Sequence, residues 1–80
     1  MEKITIDGVT LDVKDAIERY KTARPSAHIT ERQAAIFEER FGVTDGTTRT
    51  YDEVGRKFDI SRERVRQLCA KVLHEIGLLS

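Results

Sequence analysis

The sequence predicts a mainly α-helical fold: a small helical domain that ends in a helix-turn-helix and is preceded by a short N-terminal β-hairpin. Three observations carry this prediction. Capping boxes mark helix starts at Thr30 and Thr50, and an apolar stripe with helical spacing runs from Val65 to Ile76. Asp7-Gly8 lies between two segments in which apolar and polar residues alternate. With 80 residues, the chain has room for one small core.

The N-terminal segment predicts a hairpin followed by a helix. The alternation on both sides of Asp7-Gly8 favours a β-hairpin over 3–13. A helix over 13–23 follows, and Arg24-Pro25 ends it because the residue before proline disfavours the α conformation. An isolated two-stranded hairpin is marginal in water, so we expect this one to pack on the rest of the chain.

A second helix is predicted from Thr30 to Gly42. Thr30 and Gln33 form its capping box, and Gly42 favours the left-handed conformation that ends many helices. A loop rich in turn formers follows at 44–49. The apolar residues of this helix join those of the next two in a predicted three-helix core: Ile36, Phe37, Phe41, Val54, Phe58, Ile60, Val65, Leu68, Val72 and Ile76.

Residues 50–73 predict two helices that cross at a tight turn. Thr50 starts the first helix, and Ser61 caps the second. Gly55 has no side chain, so the second helix can approach closely there. Asp59 stands where the turn needs a left-handed residue, a conformation that Asp tolerates better than most residues. This arrangement is a helix-turn-helix, a motif that places its second helix in the major groove of DNA.

The second helix carries side chains suited to reading DNA. Between Ser61 and Lys71 four cations accompany a single anion, Glu63. In the major groove Arg pairs with guanine, Gln with adenine and Glu with cytosine. The residues alone also leave open a solvated charged face on an ordinary helical hairpin, since charge runs usually face solvent.

Bulk properties limit the classes of function. The chain has 14 Lys and Arg and 14 Asp and Glu. A net charge of zero argues against binding nucleic acid with the whole surface, but not against a directed site. No apolar run approaches membrane-spanning length, and the start lacks the apolar region of a signal peptide. A single cysteine cannot form an internal disulfide, which favours a reducing cytoplasm.

The sequence gives little support for catalysis or metal binding. It has no Gly-rich phosphate loop. Cys69, His28 and His74 are too few and wrongly spaced for a zinc site. Cys69 and His74 do not share a helical face, which disfavours a nucleophile and its base. We therefore predict a protein that is not an enzyme and that has no cofactor and no metal.

Residues 29–76 resemble region 4 of bacterial sigma-70-type initiation factors, the domain that reads the promoter −35 element. The resemblance rests on two stretches, ITERQAAIFEERFG at 29–42 and RTYDEVGRKFDISRERVRQLCAKVLHEI at 49–76. It implies that the partners are double-stranded promoter DNA and the RNA polymerase core. It also implies a cytoplasmic protein of bacterial or phage origin.

The resemblance implies roles for individual residues. Those that match positions contacting −35 bases are Arg62, Glu63 and Gln67. Contacts with the DNA backbone are implied for Arg32, Arg40, Thr50, Arg64, Arg66 and Lys71. In the family, part of the apolar surface forms a groove that receives the flap-tip helix of the polymerase β subunit. The candidate groove residues here are Phe37, Phe41 and Ile76.

The chain also departs from the family pattern. Residues 1–28 do not follow it and are expected to form an N-terminal extension of a helix-turn-helix domain at 29–80. This extension is expected to be a structural lid on the helical core or, alternatively, a cover for the flap-binding groove or a protein-docking surface. Residues 74–80 end apolar where principal sigma factors carry a basic tail. Since 80 residues cannot also hold a −10-melting region, we expect an excised domain or a free-standing relative.

Two functions from different classes remain. The first is sequence-specific DNA binding in transcription initiation, performed together with RNA polymerase. The second is a protein-interaction module that binds the polymerase β flap, an anti-sigma factor or another sigma regulator, with little DNA binding of its own. The trio Arg62, Glu63 and Gln67 favours the first function. The zero net charge and the unusual N-terminal segment favour the second.

Overall fold

The computed structural model describes residues 2–80 as a β-hairpin followed by four α-helices. A short 3₁₀ turn at Arg24–Ser26 lies between the first two helices. The elements in chain order are β1 Lys3–Ile6, β2 Val9–Asp12, α1 Val13–Ala23, α2 Glu31–Phe41, α3 Tyr51–Phe58 and α4 Arg62–Glu75. The predicted fold class is confirmed, including the hairpin and the helix over 13–23.

The hairpin has a two-residue turn. β1 and β2 pair antiparallel with Ile6 opposite Val9, so only Asp7 and Gly8 lie between the strands. Both turn residues have positive φ, 50° and 79°, as a type I′ turn requires. The side chains of Ile4 and Ile6 point to the same face and are buried. One face of β1 therefore holds the hairpin on the core.

Local sequence sets both ends of α1. Asp12 precedes the helix, and its Oδ1 accepts a hydrogen bond from the backbone N–H of Asp15 at 3.1 Å. The α-helix ends at Ala23, two residues before Pro25, and the chain continues as the 3₁₀ turn. This is the boundary that the proline predicts.

Three contacts join α1 to the later helices. The Tyr20 hydroxyl donates a hydrogen bond to Glu38 Oε2 at 2.6 Å, and the rings of Tyr20 and Phe37 lie 4.7 Å apart between centroids. Arg19 Nε donates to the carbonyl oxygen of Ile76 at 2.7 Å. Packing is therefore continuous across residue 28, the boundary expected between the extension and the helix-turn-helix domain.

Capping and a glycine define α2. The Thr30 hydroxyl accepts from the Gln33 backbone N–H at 3.1 Å, and the Gln33 side chain accepts from the Thr30 backbone N–H at 3.0 Å. Gly42 follows the helix with φ 68°. A β-carbon at Gly42 would stand 2.7 Å from the backbone of Thr47. The loop after α2 can therefore fold back against the helix end only because this residue is glycine.

One hydrophobic core takes in the hairpin and all four helices. Its buried members are Ile4, Ile6, Val13, Ala16, Tyr20, Ala34, Ile36, Phe37, Phe41, Val54, Val65, Leu68, Cys69, Val72, Leu73 and Ile76. Phe58 and Ile60 were predicted as core residues but are only partly buried, because they lie at the turn between α3 and α4, next to the surface. Among residues 2–80, no helix is both long and apolar enough to cross a membrane.

Candidate nucleic-acid interface

The turn between α3 and α4 depends on two residues, Asp59 with its left-handed backbone and Gly55 with no side chain. Asp59 adopts the left-handed conformation, with φ 58° and ψ 47°, as the sequence predicts. Gly55 is buried in α3, and its carbonyl oxygen accepts a hydrogen bond from the backbone N–H of Ile60 at 2.9 Å. This close crossing sets the direction in which α4 leaves the turn.

Capping fixes where α4 begins. The Ser61 hydroxyl accepts a hydrogen bond from the Arg64 backbone N–H at 3.0 Å, so Arg62 and Glu63 occupy the first turn. Val65 is buried while Arg62, Glu63 and Arg64 are exposed. Because Val65 faces the core, the polar first turn of α4 faces solvent. It lies next to the positive end of the helix dipole.

The three candidate base-contacting residues lie on the same exposed part of α4. Glu63 and Gln67 are one helical turn apart, and Gln67 Nε2 lies 3.4 Å from Glu63 Oε2. Arg62 precedes them and is exposed. The exposed first two turns of α4 therefore carry a guanidinium, a carboxylate and an amide, three groups that can hydrogen-bond base edges in the major groove.

Arg66 is held by two carboxylates. Its Nε donates to Glu63 Oε1 at 2.9 Å and its Nη2 to Glu63 Oε2 at 2.6 Å. Its Nη1 donates to Asp7 Oδ1 at the tip of the hairpin. The bond from Arg66 holds the pKa of Glu63 below its ordinary value, and Glu63 in turn raises the pKa of Arg66. This lowered pKa favours the ionised form of Glu63, in which both oxygens accept hydrogen bonds.

The remaining cations of α4 lie on its solvent side. Arg64 Nη1 lies 3.5 Å from Gln67 Oε1, and Lys71 Nζ forms an ion pair with Glu75 at 2.8 Å. Both side chains are exposed and their partners sit on the same helix. Such pairs are weak, so both cations remain available to another anion.

Arg32 braces the turn from α2. Its Nη2 donates to the carbonyl oxygen of Phe58 at 3.2 Å, and its Cζ lies 5.8 Å from the centroid of the Phe58 ring. Because these contacts use one face and one edge of the guanidinium, its other N–H groups still face solvent.

Arg40 and Thr50 have structural partners in this fold. Arg40 Nη1 donates to the Arg49 carbonyl oxygen at 2.9 Å, and its Cζ lies 4.5 Å over the ring of Tyr51. The Thr50 hydroxyl accepts from the Glu53 backbone N–H at 3.1 Å. Arg40 therefore joins the loop before α3, and α3 itself, to α2. Thr50 caps α3 as a hydrogen-bond acceptor, and this bond does not use the hydrogen of its hydroxyl group.

The three candidate groove residues are not on the surface. Phe37, Phe41 and Ile76 are 0%, 1% and 1% exposed. The rings of Phe37 and Phe41 stack at 4.3 Å, and Tyr20 of α1 packs on Phe37. The structure does not show an open groove at these residues: Tyr20 of α1 packs on Phe37, and all three side chains lie in the core. Their role in binding the β flap stays a prediction.

The sequence did not reveal that the hairpin tip reaches α4. Asp7 and Arg66 are 59 residues apart, and neither belongs to a motif that includes the other. Likewise Thr48, in the loop before α3, donates a hydrogen bond to Glu2. The only signal available was the I′ turn itself, which fixes the hairpin's shape but not the surface that it meets.

Cys69, the single cysteine, is buried, and residues 2–80 contain no candidate cluster of metal ligands. Cys69 is buried, and burial raises the pKa of its thiol from 9.0 to about 12. Since the thiolate is the reactive form, this pKa leaves the Cys69 thiol protonated and unreactive at neutral pH. Cys69 therefore serves as a core side chain.

The crossing helices and the polar first turn of α4 define a helix-turn-helix of the DNA-binding type. The family model for sigma-70, region 4 matches residues 27–76. The match takes in more than half of the chain, and the chain belongs to the sigma-70 region 4 family.

Relatives in this family are full sigma factors. The chain is 37% identical over 78 residues to the RNA polymerase sigma factor SigA4 of Synechococcus elongatus. This match covers 92% of this chain and 25% of that factor. It is 48% identical over 48 residues to the RNA polymerase sigma factor SigA of Listeria monocytogenes. This match covers 60% of this chain and 13% of that factor. The chain thus spans a quarter or less of these relatives.

The match to the Synechococcus factor also bears on the N-terminal segment. A match over 92% of the chain is more than residues 29–80 can supply, so it reaches into residues 1–28. Those residues were expected to depart from the family pattern. Part of the hairpin and α1 region therefore has a counterpart in at least one relative.

Proposed function

We propose that this domain binds promoter DNA in transcription initiation, in the manner of a region that reads the −35 element, and that it acts together with RNA polymerase. One observation carries the proposal: Arg62, Glu63 and Gln67 lie together on the exposed first two turns of α4, at the end of a helix-turn-helix. Membership in the sigma-70 region 4 family supports it.

In this proposal α4 enters the major groove with its N-terminal turns. Arg62 donates two hydrogen bonds to O6 and N7 of a guanine, Gln67 pairs with an adenine, and Glu63 accepts from N4 of a cytosine. Each bidentate contact is worth about 1–3 kcal/mol of discrimination against the wrong base. Gln67 Nε2 lies 3.4 Å from Glu63 Oε2, so the two groups are close enough to meet neighbouring base pairs.

Contacts with phosphates would set the register of the helix. Arg32, Arg64 and Lys71 supply cations near the turn and along α4, whereas Arg66 is already bonded to Glu63 and Asp7. Thr50 can donate its unused O–H to a phosphate at the N-terminus of α3, where the helix dipole favours an anion. Arg40 is also less available, because its guanidinium already bonds the Arg49 carbonyl and stacks on Tyr51.

The charge balance supports a partner-dependent role. Equal numbers of acidic and basic residues leave no general attraction to DNA, so affinity must come from a few directed contacts. We propose that polymerase supplies the additional binding, at the β flap or another surface. Action without catalysis, in the cytoplasm of a bacterial host, is part of this proposal.

A second candidate is a module that binds polymerase or a sigma regulator, such as an anti-sigma factor, with little DNA binding of its own. The pairing of Arg66 with two carboxylates favours it, because it neutralises one of the cations on the DNA-reading helix. In this case Arg62, Glu63 and Gln67 would meet protein side chains instead of base edges.

One experiment separates the two candidates. The 80-residue protein is mixed with −35 duplex DNA, with core RNA polymerase, and with both, and binding is followed by fluorescence anisotropy and by gel filtration. Arg62→Ala is the test variant, and Lys14→Ala, which removes one exposed cation from α1, is its matched control.

The DNA-reading proposal predicts preference for a −35 duplex over a scrambled one, a loss of that preference in Arg62→Ala, and little change in Lys14→Ala. Tighter DNA binding is expected when polymerase is present. The opposite result is a protein that binds polymerase but shows no preference among duplexes, with or without polymerase present. That result would contradict the DNA-reading proposal and support the second candidate.

A further inference from the structure

The tip of the N-terminal hairpin touches the helix proposed to read DNA. Asp7 is the first residue of the two-residue turn, and its carboxylate forms an ion pair with Nη1 of Arg66. The side chain of Arg66 is 33% exposed and that of Asp7 is 49% exposed. The contact therefore lies at the edge of the α4 surface that faces solvent.

The hairpin that carries Asp7 is anchored on the core. The side chain of Ile6, immediately before the turn, is 2% exposed, and β1 also buries Ile4. A two-residue turn leaves no slack between the strands, since Ile6 pairs directly with Val9. Thr5 and Thr10 join the strands again through their hydroxyl oxygens at 2.9 Å. The carboxylate is thus presented by an anchored hairpin rather than by a long loop.

This contact adds a second carboxylate to Arg66. Nε and Nη2 bond Glu63, and Nη1 bonds Asp7. Two carboxylates therefore surround one guanidinium. These bonds use three of the five N–H groups of Arg66, and the negative charges of Asp7 and Glu63 would repel a DNA phosphate that approached the other two.

The same geometry ties Arg66 to the proposed base readers. While Asp7 holds Nη1, the remaining nitrogens of Arg66 orient both oxygens of Glu63. Glu63 Oε2 in turn lies next to the amide of Gln67. A change at the hairpin tip can reach the base-reading face through this short chain of hydrogen bonds.

We propose that Asp7 is a positioning and specificity-determining residue: it keeps Arg66 on Glu63 and away from DNA phosphates, and so lowers non-specific binding relative to sequence-specific binding. This inference rests on the proposed function, because it assumes that α4 meets DNA. The hairpin thereby contributes to DNA selectivity, a role that the helix-turn-helix alone does not have.

The test variant is Asp7→Asn. Asparagine is well suited to the first position of a type I′ turn before glycine, so the hairpin is expected to fold. The matched control is Asp15→Asn, which removes one charge from an exposed position in the first turn of α1. Both are made in the unchanged chain and in an Arg66→Gln background, and each is titrated with a −35 duplex and a scrambled duplex over a range of salt.

Asp7→Asn is expected to tighten binding to the scrambled duplex by about two- to five-fold, the range set by one exposed ion pair. The slope of log affinity against log salt is expected to steepen by about 0.9, as one additional phosphate contact requires. The ratio of specific to scrambled binding should fall. In the Arg66→Gln background Asp7→Asn should match Asp15→Asn, because Asp7 acts through Arg66.

Two results would overturn the inference. One is an Asp7→Asn variant that matches Asp15→Asn in the unchanged chain, and the other is an Asp7→Asn effect that persists in full without Arg66. If the unchanged chain discriminated between duplexes in either case, the proposed function would stand and this inference alone would fail. If the unchanged chain bound all duplexes equally, both would fall together.

A readout without DNA checks the contact itself. The Nε–H NMR signal of Arg66 in the free protein should shift and exchange faster with water in Asp7→Asn than in Asp15→Asn, because the guanidinium loses one of its two anchors. An unchanged Arg66 signal would contradict the inference whatever the DNA titrations gave.

Discussion

The carbonyl oxygen of Ile60 stands 2.5 Å from the point that a β-carbon on Gly55 would occupy. The same pair is joined by a hydrogen bond from Ile60 N–H to the Gly55 carbonyl oxygen at 2.9 Å. The turn of the helix-turn-helix therefore depends on a glycine in the middle of α3. A backbone atom cannot move aside as a flexible side chain could, so the direction of α4 depends on this absence of a side chain.

Gly55→Ala should therefore destabilise the protein although alanine favours helix. The propensity gain is about 1 kcal/mol, but displacing the turn backbone should outweigh it, for a net loss of about 1–2 kcal/mol or more. Urea unfolding followed by circular dichroism measures the change. Arg56→Ala, at the next and exposed position of α3, is the control and should stay within about 0.5 kcal/mol. A stabilised Gly55→Ala variant would show that α3 and α4 do not cross this closely.

Arg40 should matter more for stability than for binding DNA. Arg40→Ala loses the bond to the Arg49 carbonyl and the packing on Tyr51, at a cost of about 1–3 kcal/mol. Arg40→Lys keeps the charge but cannot make both contacts, so it should also be destabilised. The measurement is urea unfolding of both variants. Full stability with weakened DNA binding in Arg40→Ala would instead identify a phosphate contact.

Tyr20→Phe should loosen the attachment of α1. The variant loses the hydroxyl that donates to Glu38 at 2.6 Å while keeping the ring on Phe37. A hydrogen bond to a charged group contributes about 1.5–3 kcal/mol, and partial solvent access puts the expected loss near the lower end. The free energy of unfolding at neutral pH measures it. No loss would mean that water replaces the hydroxyl at Glu38.

Tyr20 should also contribute to the loss of stability at alkaline pH. Burial, reinforced by the bond to Glu38, raises the pKa of Tyr20 from 10.0 to about 12. The folded state keeps this proton where the unfolded chain releases it. The contribution is therefore complete below pH 10 and is lost as pH rises from 10 to about 12. Unfolding free energy over this window should fall less steeply in Tyr20→Phe than in the unchanged chain, and equal slopes would contradict the assignment.

Arg32→Ala should weaken DNA binding on every sequence alike. The guanidinium lies beside the turn with N–H groups left over from its bond to the Phe58 carbonyl, so we expect a phosphate contact without base preference. The salt slope should become shallower by about 0.9, and stability should change by about 0.5 kcal/mol or less. Anisotropy titrations at several salt concentrations measure it. A change confined to one duplex sequence would contradict this role.

Much of the fold follows from local sequence. The capping boxes at Thr30 and Thr50, the left-handed Asp59 and the turn at Asp7-Gly8 are each set by residues within a few positions of one another, and all appear as expected. These features depend on short-range hydrogen bonds and on backbone sterics. A single sequence displays both directly.

Contacts between distant segments did not follow from the sequence. Phe37 and Phe41 have the apolar character of a groove or of a core, and only the position of α1 shows that they are buried. Arg40 carries the same charge whether it faces a phosphate or a tyrosine ring. The pairing of Asp7 with Arg66 likewise needs the three-dimensional arrangement. In each case the side-chain chemistry allows two partners, and the packing selects one.

The central claim is that the first turns of α4 read base edges, and Arg62 tests it most directly. The measurement is the affinity of the unchanged chain and of Arg62→Ala for a −35 duplex and for duplexes changed at one base pair at a time, in the presence of core polymerase. We predict that Arg62→Ala loses about 1–3 kcal/mol on the preferred duplex and loses discrimination at a single base pair. An equal loss on every duplex, or no loss, would contradict the claim that Arg62 reads a base.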